Sequence, residues 1–412
     1  MIDLSLLRDN PEQIIPRLKK KDPNFDAKLL LDFDSRFREL KSEVEDLRHK
    51  KNELAKQGQM GVTPELREES KKVSKELKGK EKELQGVEKD FKELYLNCPN
   101  IPQDDVPKGG KGSNIVVKQF GKKPEFNFQI KDHIELGRDL GWLDFEVAAK
   151  LAGSNFAFYS GEAVKLMYAL TMFMLKNNIE HGFDLKLPSV LVNEKSLLVS
   201  GNFPKFRDQV YEIKEDNLFL TPTAEVNLAN VYRDKILEAE QLPIRMTTAT
   251  NCFRREAGTY GASERGLIRI HQFEKVELFS LVEPEKSNDE LDRMVACAEN
   301  ILQKLGLHYQ ISLLSAQDCS FSSSKTYDLE VWMPARKEYK EVSSCSNCTD
   351  FQARRGLLRY RKSLDSKATL VNTLNGSSLA LPRLMIAIME TYQQEDGSIA
   401  IPEFLKKEAL YS

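Results

Sequence analysis

Between Asp26 and Asn97 the chain carries two narrow apolar seams that repeat every 3.5 residues, a spacing that suits paired helices and no strand. Phe33, Phe37, Leu40, Val44, Leu47 and Leu54 follow steps of 4, 3, 4, 3 and 7. Leu66, Val73, Leu77, Leu84, Val87, Phe91 and Leu94 resume them with steps of 7, 4, 7, 3, 4 and 3. Between the two runs lies GQMGVTP, Gly58 to Pro64, whose Gly and Pro residues break a helix. A helical hairpin is the simplest geometry, with about 30 residues per helix and a reach of roughly 45 Å. Gly79 and Gly86 weaken the second helix. Arg48 to Lys82 holds 11 Lys or Arg against 6 Asp or Glu, so the distal part is biased towards phosphate contact. A dimerisation coiled coil or a spacer is the blander account of the same pattern.

The rest of the chain must hold a different kind of body. At 412 residues and 47.1 kDa it exceeds what one hydrophobic core usually absorbs. With 61 basic and 63 acidic side chains, a uniformly basic nucleic-acid binder is excluded. The longest apolar run, Leu166 to Leu175, is about half of what a membrane helix needs. The N-terminus MIDLSLLRDNPEQ has no basic segment followed by an apolar one, so no secretory signal is expected. Six scattered cysteines read as reduced thiols. A cytoplasmic protein without a membrane segment is the expectation. Asn97 to Gly112, NCPNIPQDDVPKGGKG, reads as a linker, and strands alternating with amphipathic helices follow from about Asn114. Leu166 to Asn177 and Leu291 to Leu305 are helix candidates.

Asn251 to Leu281 is the most informative stretch of the body. Two strand-like segments flank a loop with Gly258, Gly261 and Gly266. Alternation puts Cys252, Arg254 and Glu256 on one face of the first segment. In the second, Arg269, His271, Phe273, Lys275, Glu277 and Phe279 stand opposite Ile268, Ile270, Val276 and Leu278. Aromatics interleaved with charges suggest an enclosed polar pocket, against an ordinary amphipathic hairpin. Thr373 to Gln393 reads as a turn, with Asn375, Gly376, Ser377 and Ser378 supplying turn and N-cap chemistry, followed by a helix. Arg383 at that helix start opposes the dipole, a cost a bound polyanion would offset. TPTAE (Thr221 to Glu225) and EVSSCSNC (Glu341 to Cys348) place hydroxyls beside carboxylates. Cys345 and Cys348 have metal-like spacing but no second pair, so no zinc is expected. No familiar phosphate loop is present in the sequence.

Taken together, these segments resemble the bacterial-type seryl-tRNA synthetases, a family of class II aminoacyl-tRNA synthetases, over essentially the whole chain. Leu166 to Pro188 matches the family's first motif. FRREAG (Phe253 to Gly258) through RIHQFEKVE (Arg269 to Glu277) matches the second, and Asn375 to Arg383 the third. GNFPKF, TPTAE, EVSSCSN and DFQARR match further family segments in order. The resemblance implies an α+β fold, an antiparallel sheet flanked by helices, with an N-terminal antiparallel two-helix coiled-coil arm. It implies an N-terminal tRNA-binding domain over residues 1–112, its arm at about 27–97, and a catalytic domain over 113–412.

The same resemblance assigns roles. Arg254 contacts the α-phosphate of ATP and the serine carboxylate, Glu256 holds the adenine amino group, Phe273 stacks on the ring and the Ile270 backbone lies nearby. Arg255, Val342 and Ser343 complete the ATP segments, and Arg383 takes the γ-phosphate. Glu341 and Ser344 ligate Mg²⁺, which accompanies ATP. Glu277 binds the serine hydroxyl and ammonium with Ser377 as its hydroxyl partner, Thr223, Ala224 and Glu225 line the amino-group side, and Asn375 is a further serine contact. Arg254, Glu277 and Arg383 carry catalysis. Expected partners are L-serine, ATP, tRNA(Ser) through the arm, a second copy in a homodimer, and tRNA(Sec) as a further candidate. The third motif often reads NGSG with glycine before its arginine; here those positions are Ser378 and Pro382. Two competing readings are a synthetase-like ligase for a non-tRNA acceptor and a catalytically inactive paralogue.

Overall fold

A computed structural model describes residues 1–257 and 265–407, apart from the Met60 side chain. Gly258 and Gly261, expected as loop punctuation, lie outside the described residues. The chain divides into two compact units, Met1–Pro99 and Asn100–Ser412.

The first unit is helical. Ala27–Met60 and Pro64–Leu96 form long antiparallel helices of 34 and 33 residues, each about 50 Å at 1.5 Å per residue. The apolar seam is their contact: Leu40, Val44, Leu54, Val73 and Leu77 are buried, and Phe37 stacks on Phe91 at 5.3 Å. Ion pairs flank the seam, with Lys80 to Glu43 at 2.7 Å, Arg48 to Glu81 at 2.8 Å and Lys50 to Glu69 at 2.9 Å. The first helix runs through Gly58 to Met60, further than the composition of the break implies. The second restarts where Pro64 fills the first turn and the Thr63 hydroxyl accepts from the Leu66 N–H at 3.2 Å. Short helices Leu4–Asp9 and Pro11–Lys21 bury Leu7, Ile14 and Leu18 within the same unit.

The second unit is built on an eight-stranded sheet. Its order is Ile115–Phe120, Tyr309–Leu313, Lys325–Met333, Glu338–Asn347, Asn372–Ala380, Gln272–Val282, Ile244–Phe253 and Asp184–Leu185. All neighbours are antiparallel except the last strand, which runs parallel to Ile244–Phe253. One face is aliphatic. Val276, Leu278, Leu329, Val331, Val342, Cys345, Leu374 and Leu379 pack there with helices Glu162–Glu180, Ser287–Lys304 and Leu381–Thr391. The opposite face joins a polar centre to a second apolar cluster around Phe279 and Leu281. From Asn100 the former linker segment hydrogen-bonds into this unit: Asn100 Nδ2 reaches the Ser322 and Cys348 carbonyls at 2.8 Å.

Two sequence expectations are corrected. Asn375 to Ser378 are not a turn but lie inside the Asn372–Ala380 strand, and the helix starts at Leu381 without a side-chain cap. Gly376 is needed for close packing: a Cβ there would stand 2.7 Å from Met294 Sδ and 2.9 Å from Cys345 Sγ. Strand alternation also fails before Gln272, because Gly266–Ile268 is a 3₁₀ turn and Ile268 and Ile270 enter the core individually. All six cysteines are free, and among the described residues no helix is long and apolar enough to cross a membrane.

Candidate active site

The polar centre of the sheet opens into a cavity of about 290 Å³. Three elements aim side chains into it. The Gln272–Val282 strand supplies Phe273 and Lys275 on its non-aliphatic face, the Glu338–Asn347 strand supplies Glu341, and the start of the last helix supplies Pro382 and Arg383. Arg254, just past the Ile244–Phe253 strand, completes the wall with Glu256, Arg269, Ile270 and Ser377.

The floor of the cavity is the segment 267–270, and it is braced. Gly266 sits at φ +67°, and a Cβ there would meet His133 Nε2 at 2.2 Å. That nitrogen accepts the Leu267 N–H at 3.2 Å, while Nδ1 faces the buried Glu390 at 3.2 Å. The cations are tethered as well. Arg383 Nη1 donates to the Glu341 carbonyl at 2.8 Å and to its carboxylate at 3.2 Å. Arg254 Nε donates to the Pro222 carbonyl at 3.2 Å, with its guanidinium 5.2 Å from the Phe273 ring centre. Arg269 holds Glu256 at 2.6 Å. Such fixed donors are the equipment for binding a polyanion.

Beside the cavity lies a buried polar network. Lys275 Nζ donates to Thr223 Oγ1 at 2.8 Å and pairs with Glu277 at 2.5 Å. Thr223 Oγ1 donates to the Glu277 carboxylate at 2.9 Å. Glu225, at the start of the short Ala224–Leu228 helix, accepts from Gln352 Nε2 at 2.6 Å and Asn375 Nδ2 at 3.0 Å. Burial pushes the Glu225 carboxyl up to about 7, with the nearby Glu277 adding to the shift and Lys275, Gln352 and Arg254 opposing it. Two carboxylates at this depth, with hydroxyl and amide donors already placed, suit a small ligand bearing both an ammonium and a hydroxyl group.

Not every expected residue reaches the cavity. Arg255 is exposed, and its N–H donates to the Gln209 carbonyl at 2.9 Å. The Val342 side chain lies in the apolar core on the other face. Ser343 Oγ donates to the Ser377 carbonyl at 2.5 Å and so ties two strands together. Ala224 is fully buried at its helix start. Ser378 Oγ donates to Asn178 Oδ1 at 2.9 Å, which gives the serine at that departure from the family pattern a buried partner. Pro382 fits the first helical turn, where an N–H lacks a partner anyway.

Four participants were absent from the expected set. Lys275 could have been found, since it alternates with Phe273 and Glu277 along the strand. Gln352 sits within DFQARR without any local signal of its role. Arg269 lies on the charged face that the alternation marks, and Asp328 lies in no motif of the sequence. The Asp328 carboxyl is held well above the usual range by burial and by Glu341, while a hydrogen bond from Ser344 opposes that shift. Asp328 and Ser344 stand directly opposite each other on the paired strands Lys325–Met333 and Glu338–Asn347, the second of which also carries Glu341.

Comparison with known proteins adds identity to geometry. Residues 1–102 match the family model of the seryl-tRNA synthetase N-terminal domain, and residues 209–392 match that of the class II tRNA synthetase core domain (G, H, P, S and T). The serine--tRNA ligase of Desulfotalea psychrophila is 43% identical over 98% of each chain. That of Thermotoga neapolitana is 44% identical with the same coverage. Among solved structures, the seryl-tRNA synthetase of Pyrococcus horikoshii complexed with ATP has a TM-score of 0.91 at 33% identity, covering 99% of this chain and 98% of its own. The cytoplasmic serine-tRNA ligase of Naegleria fowleri in complex with AMP has a TM-score of 0.84 at 25% identity, covering 99% and 96%.

Proposed function

The chain belongs to the seryl-tRNA synthetase family, and from that premise we propose how the cavity residues divide the work of the reaction. The protein activates serine with ATP and transfers the seryl group to tRNA. In the first step a serine carboxylate oxygen attacks the α-phosphorus and pyrophosphate leaves, so no protein nucleophile or base is required. The enzyme's contribution is position and charge.

Arg254 joins the serine carboxylate to the α-phosphate, which brings the reacting atoms together as their charge is shared. Glu256, steadied by Arg269, takes the adenine amino group. Phe273 stacks on the ring above the braced floor of 267–270. Arg383 gives up part of its bond to Glu341 for the γ-phosphate. Glu341 and Ser344 would hold Mg²⁺, a hard ion that prefers oxygen ligands and would neutralise phosphate charge when bound.

Serine is recognised by the buried network. Glu277 and Ser377 take the hydroxyl, and Thr223, Glu225 and Asn375 surround the ammonium. A site built to hydrogen-bond a hydroxyl rejects the analogue lacking it by roughly 10⁴-fold or more, because its own groups are left unpaired. The observation that carries this assignment is the Thr223, Lys275 and Glu277 triad set beside the arginine-lined cavity.

The domains divide the task, with residues 1–112 as the tRNA reader through the arm at about 27–97 and residues 113–412 as the catalytic part. The arm recognises the tRNA body by shape and backbone charge, so tRNA(Ser) and tRNA(Sec) both fit the proposal. A homodimer is supported by exposed apolar side chains on and after the Glu162–Glu180 helix: Tyr168, Met172, Ile179 and Leu187, the last 90% exposed. The site of action is the cytoplasm. The match to the N-terminal family model favours a tRNA ligase over a ligase for another acceptor.

The deciding experiment pairs charging of total bacterial tRNA with labelled serine and serine-dependent ATP–pyrophosphate exchange. Both activities are expected. Exchange without charging would overturn the tRNA acceptor, and neither activity in folded protein would make the site a relic.

A further inference from the structure

The strand Lys325–Met333 sets one more carboxylate, Asp328, on the strand paired with the one that carries Glu341 into the cavity. Asp328 stands directly opposite Ser344 in the antiparallel register, and Glu330 stands opposite Glu341. Directly opposed side chains share a face of the sheet. Residues three apart, such as Glu341 and Ser344, would normally point to opposite faces. Here the register slips between Leu329 and Glu330, so that one extra residue of the facing strand, Val342, is accommodated. Val342 turns into the apolar core and Glu341 joins Ser344 and Asp328 on the polar side. The bulge therefore gathers three oxygen-bearing side chains that a regular ladder would separate.

Asp328 is also incompletely used. It is only 9% exposed, it accepts the Ser344 hydroxyl hydrogen bond, and its Oδ1 is buried without a hydrogen-bond partner. Glu330, its neighbour on the same face, takes two hydrogen bonds at Oε2, from Ser312 Oγ at 2.7 Å and Gln310 Nε2 at 2.9 Å. A bare buried carboxylate oxygen is costly unless a cation or donor meets it. Arg383 already occupies Glu341, and no other cationic side chain is bonded to Asp328 among the described residues.

We propose that Asp328 is a third protein ligand of the divalent cation in the ATP cavity, binding it through the bare Oδ1 while its other oxygen orients the Ser344 hydroxyl. The inference rests on the reading above that places Glu341 and Ser344 at the metal. Three hard oxygens of this kind favour Mg²⁺ or Mn²⁺ over zinc. The bulge is then a device of the site: without it the strand pair would offer one carboxylate fewer to the ion.

The test uses the full-length protein, Mn²⁺ as probe and α,β-methylene ATP, which does not react. Free Mn²⁺ is measured by its electron paramagnetic resonance signal for wild type, D328N and E341Q. D328N should weaken Mn²⁺ binding about tenfold or more, the scale of losing one oriented ligand group. Wild-type affinity in D328N with weakened E341Q would overturn the role of Asp328 alone. Wild-type affinity in both variants would overturn the metal reading itself. If D328N does not fold, wild-type protein carrying aspartate with a ¹³C carboxyl group decides the matter. Coupling between that carbon and bound Mn²⁺ is expected, and its absence refutes the proposal, because Glu341 and Ser344 carry no such label.

Discussion

Lysine–glutamate pairs occur in both units of this molecule, under opposite conditions. In the arm, Lys80 reaches Glu43 at 2.7 Å with side chains 30% and 43% exposed. In the catalytic unit, Lys275 reaches Glu277 at 2.5 Å with side chains 10% and 2% exposed. The geometry is alike and the solvent is not. Water and salt screen the first pair, and each partner is well solvated alone. The second pair has given up its water, so each partner depends on the other and on Thr223. The arm spreads its stability over many small, replaceable contacts along an apolar seam. The catalytic sheet concentrates cost and function in a few groups that cannot be exchanged.

The largest consequence falls on Glu277. Glu277→Ala should abolish serine-dependent pyrophosphate exchange, a loss of roughly 10³-fold or more, since the serine hydroxyl loses its acceptor. Circular dichroism should show a folded protein. Exchange near the wild-type rate would remove Glu277 from serine recognition and make the buried pair purely structural.

Removing the arm separates the two units functionally. A chain in which Lys28 to Tyr95 is replaced by a short linker should keep serine activation and lose tRNA charging. Comparable charging efficiency would show that tRNA is read elsewhere. Third in size is Lys275→Met, which preserves length and leaves Glu277 buried without its cation. Unfolding by denaturant should reveal about 3–5 kcal/mol of lost stability. A loss below 1 kcal/mol would mean that the interior around Glu277 admits water.

How far these properties were legible in the sequence follows the same division. The arm's contacts are local in register, so a period of 3.5 displayed them residue by residue, from Phe33 to Leu94. Only the turn differs in extent, because a helix already nucleated propagates through Gly58 despite a cost of about 1 kcal/mol. In the sheet, the charged alternation of Phe273, Lys275 and Glu277 is legible, but the pattern does not show its partners: Thr223 enters only through the family resemblance, and Gln352 not at all. Thr223 and Gln352 come from distant segments, and pairing at long range leaves no local period. Asn375 to Ser378 looked like a turn because Gly and Ser dominate there. They form a strand because both neighbours pair with them, Ser346 and Cys345 on one side and Phe279 to Glu277 on the other, and Gly376 leaves room there for Met294 and Cys345. The bulge at Val342 was invisible for a related reason: a bulge is a mismatch between two strands, and one strand alone does not record it.

Glu225 gives a smaller effect that titrates. Its carboxyl is raised from 4.5 to about 7 in the folded protein. Between those values the folded state binds a proton that the unfolded chain has lost. Stability therefore falls as pH rises through that window and is flat, for this group, above it. Glu225→Gln should remove this part of the slope. Serine carries an ammonium that favours the ionised form, so serine should bind more tightly as pH rises through about 7. A dissociation constant that does not change between pH 5.5 and 8, measured calorimetrically, would take Glu225 away from the ammonium.

The smallest effect belongs to the exposed pair that opened the comparison. Lys80→Met and Glu43→Gln, singly and together, form a double-mutant cycle in which only the pair's own coupling survives subtraction. At physiological salt the Debye length is about 8 Å, and both partners retain much of their solvent contact. Lys80 is also drawn to Glu83 and Glu43 is one contact among several flanking the seam, so neighbours compensate when either is removed. The coupling measured by thermal unfolding should be indistinguishable from zero, and tRNA charging should be unchanged. A large coupling would break the comparison at its base, because it would mean that the arm's ion pairs are as desolvated as the one beneath the serine pocket. A change in charging without a change in stability would instead place Lys80 against the tRNA backbone, and the charge of the distal arm would then serve recognition rather than the hairpin.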